Sequence, residues 1–184
     1  CAALLLTPER RHFAQKWIWL GGLIALALAL PNIIWQKQHH WPTWELLHNI
    51  ARSNKNIVLS PAQFIIQQIL IMNPATLPLW IGGIIWLLVS RDGGRYRVIA
   101  IAYLITLGEF IIMHGKHYYL APAYPMLFAA GSVATERLFR IRLQWLKPAL
   151  LVAMIALAGL LAPTVIPILP PERLVAYMKA IHFE

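Results

Sequence analysis

The chain reads as an all-α, polytopic transmembrane helical bundle of about five spans, and three observations predict it. First, 59% of its 184 residues are hydrophobic and only 12% are charged, against about 45–50% and about 25% in ordinary soluble domains. Second, the apolar residues come in long blocks: Trp17 to Trp35, Ala62 to Val89, Val98 to Met113, Leu120 to Thr135 and Pro148 to Ile168. Such blocks suit helices crossing a hydrocarbon core of about 30 Å. They lack the two-residue alternation of a transmembrane β-barrel, the only other spanning solution. Third, ten of the sixteen basic residues fall in three short stretches: Arg10, Arg11 and Lys16; Arg91, Arg95 and Arg97; Arg137, Arg140, Arg142 and Lys147. Basic stretches that alternate with less basic connections set topology by the positive-inside rule. The net charge of +9 is thus a matter of orientation. No basic, aromatic-lined groove for a nucleic-acid strand is visible, and nucleic acid is not an expected partner.

With the basic stretches cytoplasmic, residues 7–16 lie inside and the first span runs from Trp17 to Trp35. Trp17, Trp19 and Trp35 mark its ends as interfacial aromatics. Residues 36–60 form an outer loop, in which Pro42 opens a short helix with Glu45 in its first turn and Arg52 near its end, as the helix dipole favours. Trp44, Leu47 and Ala51 share one face, and Trp41, Glu45, His48 and Arg52 the other. An amphipathic helix lying on the membrane surface fits that pattern; a solvated connector fits it as well. Ser60-Pro61 opens the next helix, where Ser60, Gln63 and Gln67 form a polar stripe expected to face protein or a cavity. Asn73-Pro74 and Pro78 interrupt it before Leu79 to Val89 continues inward. The expectation is a broken helix feeding a true span, which is tolerated only where it is buried in protein or lines a cavity.

Ser90 to Arg97 is an inner Gly-Gly turn, and Val98 to Met113 crosses outward carrying Glu109 below the outer interface. Residues 114–125 form an outer loop, Leu120 to Thr135 returns, and Glu136 to Lys147 is the most basic inner loop. Pro148 to about Ile168 leaves again, and residues 170–184 begin an outer segment that is not completed. The whole is a single membrane domain over residues 1–184. Cys1 is the only cysteine, so there is no intramolecular disulfide and no thiol-based metal site. An opening on Cys fits a lipidated first residue or a sequence cut inside a longer frame.

The candidate chemistry lies in His114-Gly-Lys-His-Tyr-Tyr-Leu-Ala-Pro-Ala-Tyr-Pro125. Ionisable groups near hydrocarbon are costly and mark functional sites by default. Lys116, beside Gly115 and between His114 and His117, suits a phosphate or pyrophosphate head group, which Lys binds as a compact point charge. Gly115 permits close backbone approach. Tyr118, Tyr119 and Tyr124 offer rings with polar tips for the boundary between a lipid and its head. Pro122 and Pro125 are expected to break the helix there and free backbone groups towards a cavity. An aromatic belt with a snorkelling Lys has the same residues. Glu109 is a proton site, a functional partner of Lys116, or its structural ion pair. His39, His40, His48, His114 and His117 lack a spacing that specifies a metal. No cofactor is implied, a divalent metal is left open, and no Ser/His/Asp set, Gly-rich phosphate loop or HExxH motif exists here.

Pro31-Asn-Ile-Ile-Trp-Gln36, His40-Trp-Pro-Thr43, Leu59-Ser-Pro-Ala-Gln-Phe64, Asn73-Pro74 with Leu77-Pro-Leu-Trp80, the loop 114–125 and Leu169-Pro-Pro-Glu172 occur in that order. Together they resemble bacterial membrane glycosyltransferases of family 39, related to the protein O-mannosyltransferases and to the lipid A aminoarabinose transferase. The resemblance implies a C-type fold in the bacterial inner membrane, with the active site at the periplasmic face. It implies a sugar on a polyprenyl phosphate as donor, transferred to an acceptor that the motifs do not specify. Gly115, Lys116, Tyr119 and Pro122 match the family's Gly-Lys-x-x-Tyr-x-x-Pro pattern, which places Lys116 on the lipid phosphate and the Tyr-Pro turn around the lipid. The family's catalytic acid sits in a first outer loop upstream of the residues seen here. The expectation is therefore a central piece with part of the donor site, no catalytic base, and no activity on its own. Two other readings share the features: a transporter or flippase subunit, against which no second deep charge offers a coupling relay, and a non-catalytic membrane remnant.

Overall fold

Helix ends, more than helix interiors, set the path of this chain. The computed structural model describes residues 2–52, 59–142 and 144–181, and among them every regular element is helical. Cys1, residues 53–58 of the expected outer loop, Leu143 of the expected inner loop and residues 182–184 lie outside the described residues. A short α1 (Ala2–Leu5) and a 3-10 segment (Pro8–Ala14) lead into α2 (Lys16–Gln38), which carries Pro31 internally and is apolar on all sides.

α2 ends in a Schellman turn. Trp41 N–H reaches the Gln36 carbonyl at 2.7 Å, His40 N–H the Lys37 carbonyl at 3.4 Å, and His40 takes the left-handed φ of 58°, a position usually held by glycine. Gln36 then ties α2 to α3 (Pro42–Arg52): its Nε2 donates to Thr43 Oγ1, and its Oε1 accepts Thr43 N–H at 3.3 Å. On α3, Trp44, Leu46 and Leu47 are all exposed.

α4 (Pro61–Ile71) opens with a reciprocal capping box, Ser60 Oγ accepting Gln63 N–H and Gln63 Oε1 accepting Ser60 N–H. This corrects the expected polar stripe. Ser60 and Gln63 are exposed and cap the helix, Gln67 is half-buried, and the glutamine that enters the core is Gln68. One residue of offset turns a side chain about 100° around a helix. The helix stops at Asn73, also left-handed at φ 65°, which Asn tolerates better than most residues. Its Oδ1 accepts Ala75 N–H, and its Nδ2 donates to the Met154 carbonyl. A 3-10 turn (Pro74–Thr76) then enters α5 (Leu77–Val89), and the axis bends by 95° across the break. The broken helix predicted from Asn73-Pro74 is present.

Ser90 caps a one-turn α6 (Arg91–Gly94) where a Gly-Gly turn was expected, and no described glycine has positive φ. Next come α7 (Arg97–Ile112), a 3-10 segment (His117–Ala123), α8 (Tyr124–Arg142), α9 (Leu146–Val165) and α10 (Pro171–Ala180). Pro125 is the second residue of α8, where its missing N–H costs nothing, so it starts a helix instead of breaking one. Most of the expected inner loop Glu136 to Lys147 is helical, because α8 runs on to Arg142.

Among the described residues, α2 and α9 are long and apolar enough to cross a bilayer. The bent pair Pro61–Ile71 and Pro74–Val89 makes a third if counted as one span. α7 has 16 residues, about 24 Å of helix, and the second half of α8 is charged. The two apolar blocks there do not form spans that pass the same test.

The core joins α4, α5, α7 and α8 through Phe64, Trp80, Leu87, Tyr103, Leu120, Tyr124 and Leu127. Trp80 packs on Tyr124, Gly83 faces Leu127 and Gly131, and Asp92 pairs with Arg137. The numbers rise together, so α5 and α8 run parallel. They touch backbone to backbone: a β-carbon on Gly131 would lie 2.6 Å from the Leu79 carbonyl carbon, and one on Gly83 would lie 2.9 Å from Gly131 N. Close approach through small residues is how helices associate where lipid supplies no hydrophobic drive. The Asp92–Arg137 pair, and a cavity that Arg11 and His12 share with Arg95, gather the three basic stretches at one end. The 114–125 segment lies at the other.

Candidate functional site

The site is built on the end of α7. Gly115 N–H bonds the Phe110 carbonyl at 2.8 Å, His114 N–H bonds that of Ile111 at 3.4 Å, and His114 is left-handed at φ 53°. This is the Schellman turn that also ends α2, again with histidine in the glycine position. The exposed His114 is therefore placed by its backbone. His114→Gly should raise thermal stability by about 1 kcal/mol, since a non-glycine residue pays that order of penalty for left-handed φ. A melting curve checks it, and a loss of stability would assign the imidazole a contact of its own. Gly115 is required for a different reason than ligand approach alone: a β-carbon there would run into the Phe110 ring. Phe110 in turn packs on Tyr119 at 6.2 Å.

Beyond the turn, a buried polar chain locks the loop. Tyr124 donates to Gln68 Oε1 at 2.9 Å, and Gln68 Nε2 donates to the His117 carbonyl at 2.6 Å. Tyr103 Oη lies 3.1 Å from Tyr124 Oη. A phenol has one hydrogen, and that of Tyr124 is engaged by Gln68, so Tyr103 is the donor to Tyr124. The chain crosses α7, α8, α4 and the 3-10 segment in four groups, each satisfied as buried polar atoms must be.

This assigns Tyr124 differently from the sequence expectation. It is fully buried and its hydroxyl is engaged, so it positions the loop and does not meet a ligand. Lys116, Tyr118 and Tyr119 are exposed. The Lys116 ammonium lies 5.9 Å from the Tyr118 ring centre, and the rings of Tyr118 and Tyr119 meet edge-on at 4.8 Å. The His117 ring is half-buried against Tyr118 at 5.6 Å. Behind them an apolar groove of about 450 Å³ is walled by Tyr119, Leu120 and Pro122, and runs down α7 past Thr106, Tyr103 and Ile99 to Val98. Pro122, inside the 3-10 segment, thus lines the groove.

Glu109 is not brought to Lys116. The helix stops at Ile112 and the chain turns, so the two-turn spacing that would align them is lost; Glu109 is exposed, and the salt bridges among the described residues do not include it. Nor do the histidines converge: no three His, Cys, Asp or Glu among the described residues are placed to share an ion. Gln68 and Tyr103 are the functional-site residues that sequence reasoning missed. Their signal was a polar tip inside an apolar run, where such groups need a partner.

The chain matches no protein-family model, no curated protein and no solved structure.

Proposed function

We propose that this chain is a membrane-embedded part of a glycosyltransferase, and that its 114–125 segment holds the phosphate and the first isoprene units of a polyprenyl-phosphate-linked sugar donor. The observation that carries the reading is the juxtaposition of the exposed Lys116 ammonium and Tyr118 with an apolar groove that begins at Tyr119 and Pro122. A point charge suits phosphate, and a concave apolar wall suits the chain attached to it. The family-39 resemblance assigns the same two roles to the same residues. In this reading the protein is an inner-membrane protein of about five spans, with the basic end cytoplasmic and the 114–125 segment periplasmic.

Lys116 holds the phosphate by a charge-assisted bond, Tyr118 shields that bond from water, and Tyr119 with Pro122 orients the chain. Gln68 and Tyr124 fix the loop from behind. The test is binding of undecaprenyl phosphate to the full chain in nanodiscs, followed by native mass spectrometry. Lys116→Ala should weaken binding roughly tenfold or more, while undecaprenol, which lacks the phosphate, binds both proteins equally. Equal undecaprenyl-phosphate binding by wild type and variant would defeat the assignment. In a complete transferase the same variant should abolish sugar transfer while leaving membrane insertion intact.

A further inference from the structure

The apolar groove has a second end that the donor reading does not use. At Val98 it meets a separate cavity of about 380 Å³ lined by Leu4, Glu9, Arg11, His12, Arg95 and Tyr96. Val98 lines both, so a basic pocket lies next to the lower mouth of the apolar groove. From Val98 to Thr106 the groove follows eight residues of α7, about 12 Å. Arg95 stands over the Tyr96 ring at 5.4 Å and is exposed, and Arg11 is exposed beside it. The one carboxylate there, Glu9, is held by His12 at 2.7 Å and lies 3.7 Å from Arg11. It offsets the charge of Arg11, and Arg95 lines the pocket with no carboxylate on it among the described residues.

We infer that this pocket binds the head group of an anionic phospholipid, its phosphate between Arg11 and Arg95 and one acyl chain passing Leu4 and Val98 into the groove. The inference rests on the membrane placement of the proposed function, and not on the donor site. Arg forks match phosphate oxygens, and basic pockets between helices at the cytoplasmic side suit anionic lipid heads. The apolar continuation commits the site to a lipid over a free phosphate. A soluble anion would leave the Leu4–Val98 mouth in contact with water.

The experiment is native mass spectrometry of the full chain released from nanodiscs containing phosphatidylglycerol and phosphatidylcholine. Wild type should retain phosphatidylglycerol in preference. Arg11→Gln with Arg95→Gln should lower that retention roughly tenfold and leave undecaprenyl-phosphate binding unchanged. Arg91→Gln with Lys147→Gln, which removes the same charge outside the pocket, should keep it. Lys116→Ala should also keep it, so the donor reading and this one fail separately. Equal retention by the pocket variant, an equal loss in the charge control, or displacement of the lipid by glycerol 3-phosphate would each overturn the proposal.

Discussion

Gly131→Ala should destabilise the protein by about 2–3 kcal/mol, although alanine is the better helix former by about 1 kcal/mol. The reason is the backbone contact between α5 and α8. The added methyl would overlap the Leu79 carbonyl, which cannot rotate away as a side chain can. The helices must separate, and Leu87, Leu127 and Tyr124 lose contact together. In a chain of this size that corresponds to roughly 5–10 °C in melting temperature, measurable by tryptophan fluorescence in detergent micelles. Gly82 supplies the control. It lies on the partner helix α5, beside Gly83, but has nothing within 4 Å of its missing β-carbon, so Gly82→Ala should be neutral or stabilising by up to about 1 kcal/mol. Opposite signs at Gly82 and Gly131 are the expected result. Equal shifts would mean that α5 and α8 are not in contact.

Gln68→Leu keeps nearly the same volume and removes both ends of the polar chain. The His117 carbonyl loses its donor, and the Tyr124 hydroxyl loses its acceptor. A buried polar group left alone costs about 1–3 kcal/mol, so a loss of about 3 kcal/mol is expected. Adding Tyr124→Phe removes one of the orphaned groups. The double variant should therefore be less destabilised than the sum of the two single changes, by about 1 kcal/mol or more. Melting curves of the four proteins close the cycle. Strict additivity would show that the Tyr124–Gln68 bond is not made.

Local chemistry was legible in the sequence, and long-range partners were not. Pro42, Ser60-Pro61 and Asn73-Pro74 act through the backbone of their own neighbours, and each starts or stops a helix where the residues predict it. The apolar block from Trp17 to Trp35 became a helix only slightly longer than itself. The spacing of Ser60 and Gln63 points to Gln67 in place of Gln68, whereas the two residues cap each other and define no stripe. A pairing of Glu109 with Lys116 needs a continuous helix between them, and the left-handed His114 ends it. Left-handed backbone at a histidine has no sequence signature comparable to glycine, so both Schellman turns were invisible. The contact at Gly83 and Gly131 depends on which two helices are neighbours, and no local pattern carries that.

The 95° elbow at Asn73 changes how hydrophobic sequence should be counted in this chain. Eleven residues of α4 are as apolar as a span, yet an axis turned almost sideways covers little of the bilayer's thickness. If α5 crosses the bilayer as the proposed orientation has it, α4 makes a ledge instead of a crossing, held to α9 by the Asn73–Met154 bond. Translocation parity follows from that geometry. A reporter domain fused before Pro61 and one fused after Met72 would sit on the same side of the membrane, and only the passage through α5 would change sides.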